Sequence, residues 1–568
     1  MNDLKQILLS AAHIYYQYLS DNNLGLNEIA IKQFECRDDE LILALKYSVG
    51  DMDLKLGGAL LLQVGDRLYS IAEADSPKES EVMLHFYDEK QRTLFLNVSE
   101  AMAKMLEKAQ KAKIPLKLFS DLKFLVQNVA DFFDKYGEKL RLPSSIVHNP
   151  TPHIPRLSEE QNIALSKVLN SPLSYVWGPP GTGKTQAVLF EALLYYIKQG
   201  KRVGVVATTN NALEQVLKAL IKQFDNLGLA RDMILRLGMP TLQYMSEYPQ
   251  TCDPSLLQKR KKLDLFSFQE STQDNIKIRL KNAFVVGVTL DGFISRYDKL
   301  DLHFSHIFLD ECAYASLIKT CALCVDNTPL ALFGDHKQLS PVCEMPPNKL
   351  TEAENDNAFV WNLSALFLEA FCKGESPAQL ANMNEQGYSM PPLQDTILST
   401  LSKTHRYGDN LARLLDNYVY HIGLRGTEMQ MELFVVDSGA KSESDKQISE
   451  NEAQMCARLC EKIANEEYAV ITPFVKQRQR LVEQIKRDRV FTIHGSQGQE
   501  FDNVIFSPVS LHYHLTNSTQ AHALYALNVA ISRTKKRLFI VCDYAFWSRQ
   551  KGQLIWAILQ ESKPFVLT

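Results

Sequence analysis

Helical spacing gives way along this chain to short β-rich runs, then to strands and helices in alternation. Leu4, Ile7, Leu8, Ala11, Tyr15 and Leu19 lie three and four positions apart and predict a helix over residues 1–20. Between residues 40 and 98 the pattern becomes β-rich. Runs 59–64 and 68–72 flank Gly65-Asp66, with Arg67 beside the turn, and predict a hairpin; runs 82–87 and 93–98 flank a charged turn and predict another. So compact a set of strands predicts a small barrel or curled sheet. Helices are expected over 100–112, ending before Pro115, and over 121–136, where Leu122, Leu125, Val129, Phe132 and Tyr136 share a face and Gly137 ends it.

Pro143, Pro150, Pro152 and Pro155 then cluster in a stretch without periodicity, which predicts a linker over 143–157. Beyond it, apolar runs at 173–177, 202–207, 284–288, 307–309 and 330–333 alternate with helical stretches, the pattern of a parallel α/β sheet. A second series follows at 433–436, 469–471, 504–506 and 538–541. The expected organisation is an N-terminal helical and β-barrel accessory domain over 1–142, a first α/β unit over 158–345, and a second over 395–568. The connecting segment 346–394, with its polar run 352–357, has no clear pattern, and no fixed-period repeat is present.

Composition narrows the class. The 568 residues make roughly three or four domains at ~150 residues each, and 45% hydrophobic content excludes wholesale disorder and a fibrous repeat. With 62 Lys+Arg against 66 Asp+Glu, attachment to nucleic acid by bulk positive charge is excluded, while a local basic groove is not. Apolar runs such as 59–62 are far short of the ~20 residues a membrane span needs, and the apolar run 7–12 is too short for a signal segment. Ten scattered cysteines make no disulfide framework, so reduced thiols and a cytoplasmic location are expected.

The chemistry is carried first by Gly178-Pro-Pro-Gly181-Thr182-Gly183-Lys184-Thr185, a complete phosphate-binding loop between an expected strand and an expected helix. Its glycines let backbone N–H groups close around phosphates, and the helix N-terminus adds a positive dipole. Lys184 would reach the β- and γ-phosphates of ATP and Thr185 would ligate Mg²⁺. Ile307-Phe-Leu-Asp310-Glu311 places two carboxylates at the end of an apolar strand. Asp310 would hold the Mg²⁺, and Glu311 would orient and deprotonate the attacking water.

Further motifs carry a resemblance. Leu157-Ser-Glu-Glu-Gln161-Asn-Ile-Ala-Leu165 resembles the Q motif of superfamily 1 helicases, and Gly334-Asp335-His-Lys-Gln338-Leu-Ser-Pro341 resembles their motif III. Thr404-His405-Arg406-Tyr-Gly resembles motif IV, Thr492-Ile-His494-Gly-Ser-Gln-Gly-Gln-Glu500 motif V, and Leu527-Asn528-Val-Ala-Ile-Ser-Arg533-Thr-Lys motif VI. They occur in family order over 157–541 and point to the branch containing the nonsense-mediated-decay RNA helicase and the immunoglobulin-mu-binding helicase. The resemblance implies two tandem RecA-like P-loop parallel-sheet domains preceded by a small β-barrel-plus-helices domain. It also implies an ATP-dependent, single-strand translocase or helicase moving 5′ to 3′. By resemblance, Gln161 reads the adenine edge, Gln338 senses the γ-phosphate, Glu500 binds the ribose, and Arg406 and Arg533 are arginine fingers reaching across a cleft. Four positions depart from the family: His405 stands where an aromatic residue stacks on adenine, His494 replaces the motif V aspartate, and Cys312 and Tyr314 follow Asp310-Glu311 in place of a small residue and Gln.

A single strand of DNA or RNA is the implied partner. Thr209 and Asn210 resemble motif Ia and Thr289 motif Ib, while Thr472, Pro473 and Thr492 occupy the matching places in the second unit. These residue types suit phosphate contact and are equally ordinary as helix caps and turn residues. The basic cluster 259–262 reads as a solvated helix face or a nucleic-acid contact, and the N-terminal domain as a docking site for a protein partner. Cys321-x-x-Cys324 and Cys456/Cys460 lack partners at metal-binding spacing, so no zinc or iron–sulfur cluster is expected. Phe132-Phe133, and Phe367 with Phe371, are expected in the core. The competing class is an ATPase switch subunit of a larger assembly, such as a defence complex, that separates no duplex.

Overall fold

The computed structural model describes residues 4–46, 60–65, 67–72, 81–88, 92–112, 114–144, 151, 153–253, 276–300, 302–386, 389–441, 443–512, 515 and 524–567. The basic cluster 259–262, Pro150 and Pro152 lie outside them. Two parallel sheets with helices on their faces form the body, and an eight-stranded, largely antiparallel sheet precedes them. No helix among the described residues is long and apolar enough to cross a membrane.

The first parallel sheet runs Ile234–Arg236, Val285–Thr289, Val203–Ala207, Ile307–Leu309, Leu330–Gly334, Leu173–Trp177 and Ile397–Thr400. Nearly every residue of its central strands is buried, which is why they read as continuous apolar runs and not as alternation. The last strand corrects an expectation. Residues 397–400 pair in parallel register with Leu173–Trp177, so the second unit starts after this strand and not at residue 395. Two side chains of the helix Glu159–Asn170 hold the crossing chain: Lys167 donates to the Leu398 carbonyl at 2.9 Å, and Glu160 accepts from the Ser402 backbone N–H at 2.8 Å and its hydroxyl at 2.5 Å. Just upstream, buried Glu369 accepts backbone N–H groups from Gln394, Asp395 and Thr396 at 2.8–2.9 Å. Burial would raise its pKa, but the Lys373 ammonium and those donors outweigh it and hold the carboxyl at about 2.

The expected accessory domain over 1–142 also divides. Strands between Leu26 and Asp121 form the antiparallel sheet, which curls until Ile31–Arg37 at one end lies against Leu116–Asp121 near the other. The helices Leu4–Asp21 and Leu122–Tyr136 instead pack on each other and on the first parallel unit. Tyr15 packs at a tilt on Trp361 with ring centroids 4.8 Å apart, the Trp361 indole donates to the Ala11 carbonyl at 3.1 Å, and the Tyr15 hydroxyl accepts from the Glu344 N–H at 3.0 Å. The patternless segment 346–394 is thus a set of short helices whose apolar sides are completed by the N-terminal helix. Phe132, Phe133, Phe367 and Phe371 are buried in this same core.

The second parallel sheet runs Val490–Thr492, Tyr468–Thr472, Phe501–Phe506, Thr534–Cys542, Glu432–Asp437 and Lys563–Pro564. Beyond the end of Phe501–Phe506 lies a buried polar knot. The Ser507 hydroxyl and the Val509 N–H donate to Glu452 at 2.5 and 3.0 Å, and Gln477 bridges Ser449 and Ser507. Val509 is held at φ 64, a left-handed conformation costly for a β-branched residue.

Burial pushes the Glu452 carboxyl up to about 8 against the lowering by its Ser507 and Val509 donors. Between the ordinary carboxyl range and that value the folded protein binds the extra proton, so this group's contribution to stability is present at acid pH and is lost as pH rises towards 8. Glu452→Gln keeps an acceptor for both donors and removes the titration. It is expected to flatten the fall in the unfolding midpoint between pH 5 and pH 8 and to melt above the wild-type protein at pH 8, a gain on the order of a few kcal/mol. Parallel midpoint curves for the two proteins would refute this.

Candidate active site

The site is built where the strands of the first sheet end. Leu173–Trp177 runs into the phosphate loop, Ile307–Leu309 into Asp310 and Glu311, and Leu330–Gly334 into Asp335 and Gln338. Parallel pairing places all three turns on one edge, the carboxyl end of an open α/β sheet where ligands bind. Gly181 and Gly183 take φ values of 80 and 85, which a side chain would resist. After them the chain opens into a π-helical turn, Lys184–Leu189, before the helix Phe190–Lys198.

Lys184 folds back on its own loop, donating to the carbonyls of Gly178 at 2.5 Å and Pro179 at 3.2 Å. Burial lowers its pKa; Asp335, Glu311 and Asp310 oppose that, and Arg406 adds to it. The Thr185 hydroxyl donates to Asp310 at 3.2 Å. Burial and neighbouring Glu311 raise the Asp310 pKa against the pull of Lys184. A hydroxyl and a carboxylate side by side are hard oxygen donors of the kind Mg²⁺ takes, so these two fit that ion. Glu311 sits at φ 53, a left-handed conformation uncommon outside glycine, and strain of this kind concentrates at functional sites.

The second unit closes the site. His405 N–H donates to the Gly181 carbonyl at 2.9 Å and the Thr404 hydroxyl to the Pro180 carbonyl at 2.7 Å, so this strand lies directly on the phosphate loop. Arg406 donates to the Ser532 carbonyl at 3.2 Å and pairs with Glu500 at 3.0 Å. Arg533 donates to the Gln338 side-chain oxygen at 3.3 Å and to the Gln499 carbonyl at 3.4 Å. Burial, with Arg406 nearby, pushes the Arg533 pKa down to about 10 against Glu311, Tyr420 and Asp335. The Nε–H groups of both arginines are buried without a partner. Unspent guanidinium donors beside a phosphate loop are what a triphosphate would satisfy.

The Gln161 carboxamide is held within the protein: its nitrogen donates to the Thr182 carbonyl at 3.1 Å and its oxygen accepts from the Ser158 N–H at 3.0 Å in a capping box, so it braces the loop. Glu500 pairs with Arg406 while its side chain stays exposed at the mouth of the site. Thr472 is fully buried with an unpartnered hydroxyl, so it does not present itself to a strand. His405 is exposed beside the loop. Thr209, Thr289 and Thr492 accept from the N–H groups of Ala212, Gly292 and Gly495 at 3.1 Å, acting as caps. Each hydroxyl proton stays available, so capping and phosphate contact are compatible. Asn210 accepts from Arg236 at 2.7 Å, and Pro473 is half-buried.

Family models for AAA domains match residues 156–277 and 394–545. The ATP-dependent helicase upf1 of Schizosaccharomyces pombe is 24% identical over 503 residues, 76% of this chain and 50% of that protein. These matches support a superfamily 1 helicase similar to the UPF1-like group. DNA-binding protein SMUBP-2 of Mesocricetus auratus is 24% identical over 70% of this chain and 44% of its own length. ATP-dependent helicase NAM7 of Saccharomyces cerevisiae is 24% identical over 69% and 42%. The chain thus spans about half or less of the length of these relatives.

Sequence reasoning passed over Asp335, although it stands inside motif III. Its carboxylate accepts from the Trp177 indole and the Lys337 N–H at 3.1 Å, from Gln338 at 2.9 Å and from the Tyr420 hydroxyl at 2.7 Å. The Gly-Asp pair after an apolar strand was the available signal; Tyr420, from the other unit, had none.

The contact across the cleft is close enough to test by size. A Cβ at Gly181 would lie 2.5 Å from the Arg406 Cβ and 2.6 Å from the Thr404 hydroxyl, at a φ of 80. Gly181→Ala is expected to fold, with a melting midpoint lowered by the roughly 1–2 kcal/mol cost of a left-handed alanine, and to lose about 10²-fold in ATP turnover because the second unit can no longer seat on the loop. Wild-type turnover would show that this seating is dispensable.

Proposed function

We propose that this protein is an ATP-driven translocase, and by resemblance a helicase, that moves 5′ to 3′ along a single strand of DNA or RNA. The observation that carries the reading is the convergence of Arg406 and Arg533, from the second unit, on the loop and carboxylates of the first. In this reading Gly178, Gly181, Thr182 and Gly183 shape the cradle for the triphosphate, and Lys184 leaves its loop carbonyls for the β- and γ-phosphates. Thr185 and Asp310 hold Mg²⁺, whose charge offsets that of the phosphates when bound. Glu311 orients the attacking water and takes its proton, Gln338 reports the γ-phosphate, and the two guanidiniums stabilise charge on its oxygens in the transition state. His405 lies against the base, and Glu500 exchanges Arg406 for the ribose when nucleotide enters.

Hydrolysis then requires both units, so closing and opening of the cleft follow the nucleotide state. A strand lying across the carboxyl edges of both sheets, touched by Thr209, Asn210 and Thr289 on one and by Pro473 and Thr492 on the other, is carried forward as the edges approach and part. Thr472 joins this set only if the edge around it opens. A DNA-binding protein and ATP-dependent helicases among the relatives support a nucleic-acid partner. A switch that separates no duplex would not need gripping residues in the second unit.

Lys184→Ala is expected to abolish ATP hydrolysis. Arg533→Ala should bind a fluorescent ATP analogue normally while its kcat falls about 10³-fold or more, the scale of an arginine finger. Wild-type hydrolysis should rise on adding single-stranded oligonucleotide. Normal turnover by Arg533→Ala would remove the two-unit mechanism, and no stimulation by either DNA or RNA would favour the switch.

A further inference from the structure

We propose that Tyr420 and Asn528 are positioning residues that aim Gln338 and Arg533 through a closed ring of hydrogen bonds across the cleft; this rests on the ATPase reading above. The ring starts at Asp335, 2% exposed. A carboxylate has about four lone-pair positions, and here each oxygen takes two donors. Trp177 and the Lys337 N–H fill one oxygen; Gln338 and Tyr420 fill the other. Because the carboxylate can only accept, the Tyr420 proton points to Asp335, and the Tyr420 oxygen accepts from the Asn528 amide at 2.8 Å. The same amide nitrogen donates to the Lys337 carbonyl at 2.9 Å. Asn528 lies on the helix Tyr525–Ile531, five residues before Arg533, whose guanidinium returns to Gln338. Gln338 closes the circuit on Asp335.

Both units contribute to the ring. Asp335, Lys337 and Gln338 belong to the first. Asn528 and Arg533 belong to the second, as does Tyr420, which ends the turn Asp416–Tyr420 after a helix, Asp409–Leu415, that packs on the helix Leu554–Glu561. Tyr420 and Asn528 are buried at 3% and 0% exposure, so their polar groups find no water in place of this partner. When the cleft opens, Asp335 loses a donor beside the one from Gln338, and Gln338 and Arg533 are freed to turn. When it shuts, the hydroxyl of Tyr420 and the amide of Asn528 return both to one geometry. Neither residue needs to touch the nucleotide, which separates their role from that of Gln338 and Arg533.

Tyr420→Phe removes one hydroxyl and keeps the ring that fills the core. Its kcat for ATP is expected to fall about ten-fold while KM and the affinity for a fluorescent ATP analogue stay within about two-fold. Asn528→Ala should cost a similar factor, and the double variant no more than the larger single one, because both break the same circuit. Dyes placed at exposed Leu227 and Val566, one on each unit, give a readout without turnover: a non-hydrolysable ATP analogue should shift energy transfer less in Tyr420→Phe than in the wild-type background. Wild-type kcat in Tyr420→Phe, multiplicative losses in the double variant, or an unchanged closure signal would each overturn the proposal. Wild-type protein that hydrolyses no ATP would instead refute the ATPase reading, with the closure signal still deciding the ring.

Discussion

Charge burial at the cleft is the constraint on which the rest of the structure depends. Lys184, Arg406 and Arg533 are gathered with Asp310, Glu311 and Asp335 into one space, where burial works against the ionised forms of Lys184, Asp310 and Arg533. Neither parallel sheet supplies both halves of the set. The first brings the carboxylates and the lysine, the second the two guanidiniums. Docking buries these charges and brings opposite ones together in the same step, so the relative position of the units is tied to electrostatics in the cleft as well as to apolar contact. Two guanidinium Nε–H groups without partners mark where the balance is incomplete.

The surrounding architecture serves to hold that docking in register. The chain leaves the first sheet through Ile397–Thr400, is pinned by Lys167 and Glu160, and lays Thr404 and His405 on the phosphate loop within a few residues. So short a path leaves Arg406 little freedom to be elsewhere. Glu369, with three backbone N–H groups converging on its carboxylate, fixes the same path one step earlier. The helices Leu4–Asp21 and Leu122–Tyr136 complete the core of the intervening segment from outside, through Tyr15 and Trp361.

Local patterns exposed much of this in advance. A phosphate loop needs its glycines, lysine and threonine consecutive, because backbone N–H groups and a helix start must share one turn; such a site is written in one stretch of chain. The two parallel sheets were legible for a related reason. Strands buried on both faces must be apolar throughout, and Leu173–Trp177, Val203–Ala207 and Leu330–Gly334 are. The caps at Thr209, Thr289 and Thr492 were also readable as caps, since capping involves residues three apart.

Contacts between distant parts of the chain were not legible. Helical spacing marked Leu4–Asp21 as amphipathic, but only tertiary structure decided that its partner was a segment 350 residues later, because periodicity names a buried face and not what buries it. The edge strand Ile397–Thr400 is short and half exposed, so it carried no apolar signal, and its sheet was decided by register with Leu173–Trp177. Gln161 was turned into the loop by its own helix cap, and Asp335 became a junction because Trp177, Gln338 and Tyr420 each brought a donor to it. The sequence by itself determined the phosphate-loop pattern and which strands are buried. Folding decided which charges share a cleft, since a buried ion's environment is set by whatever the fold places around it.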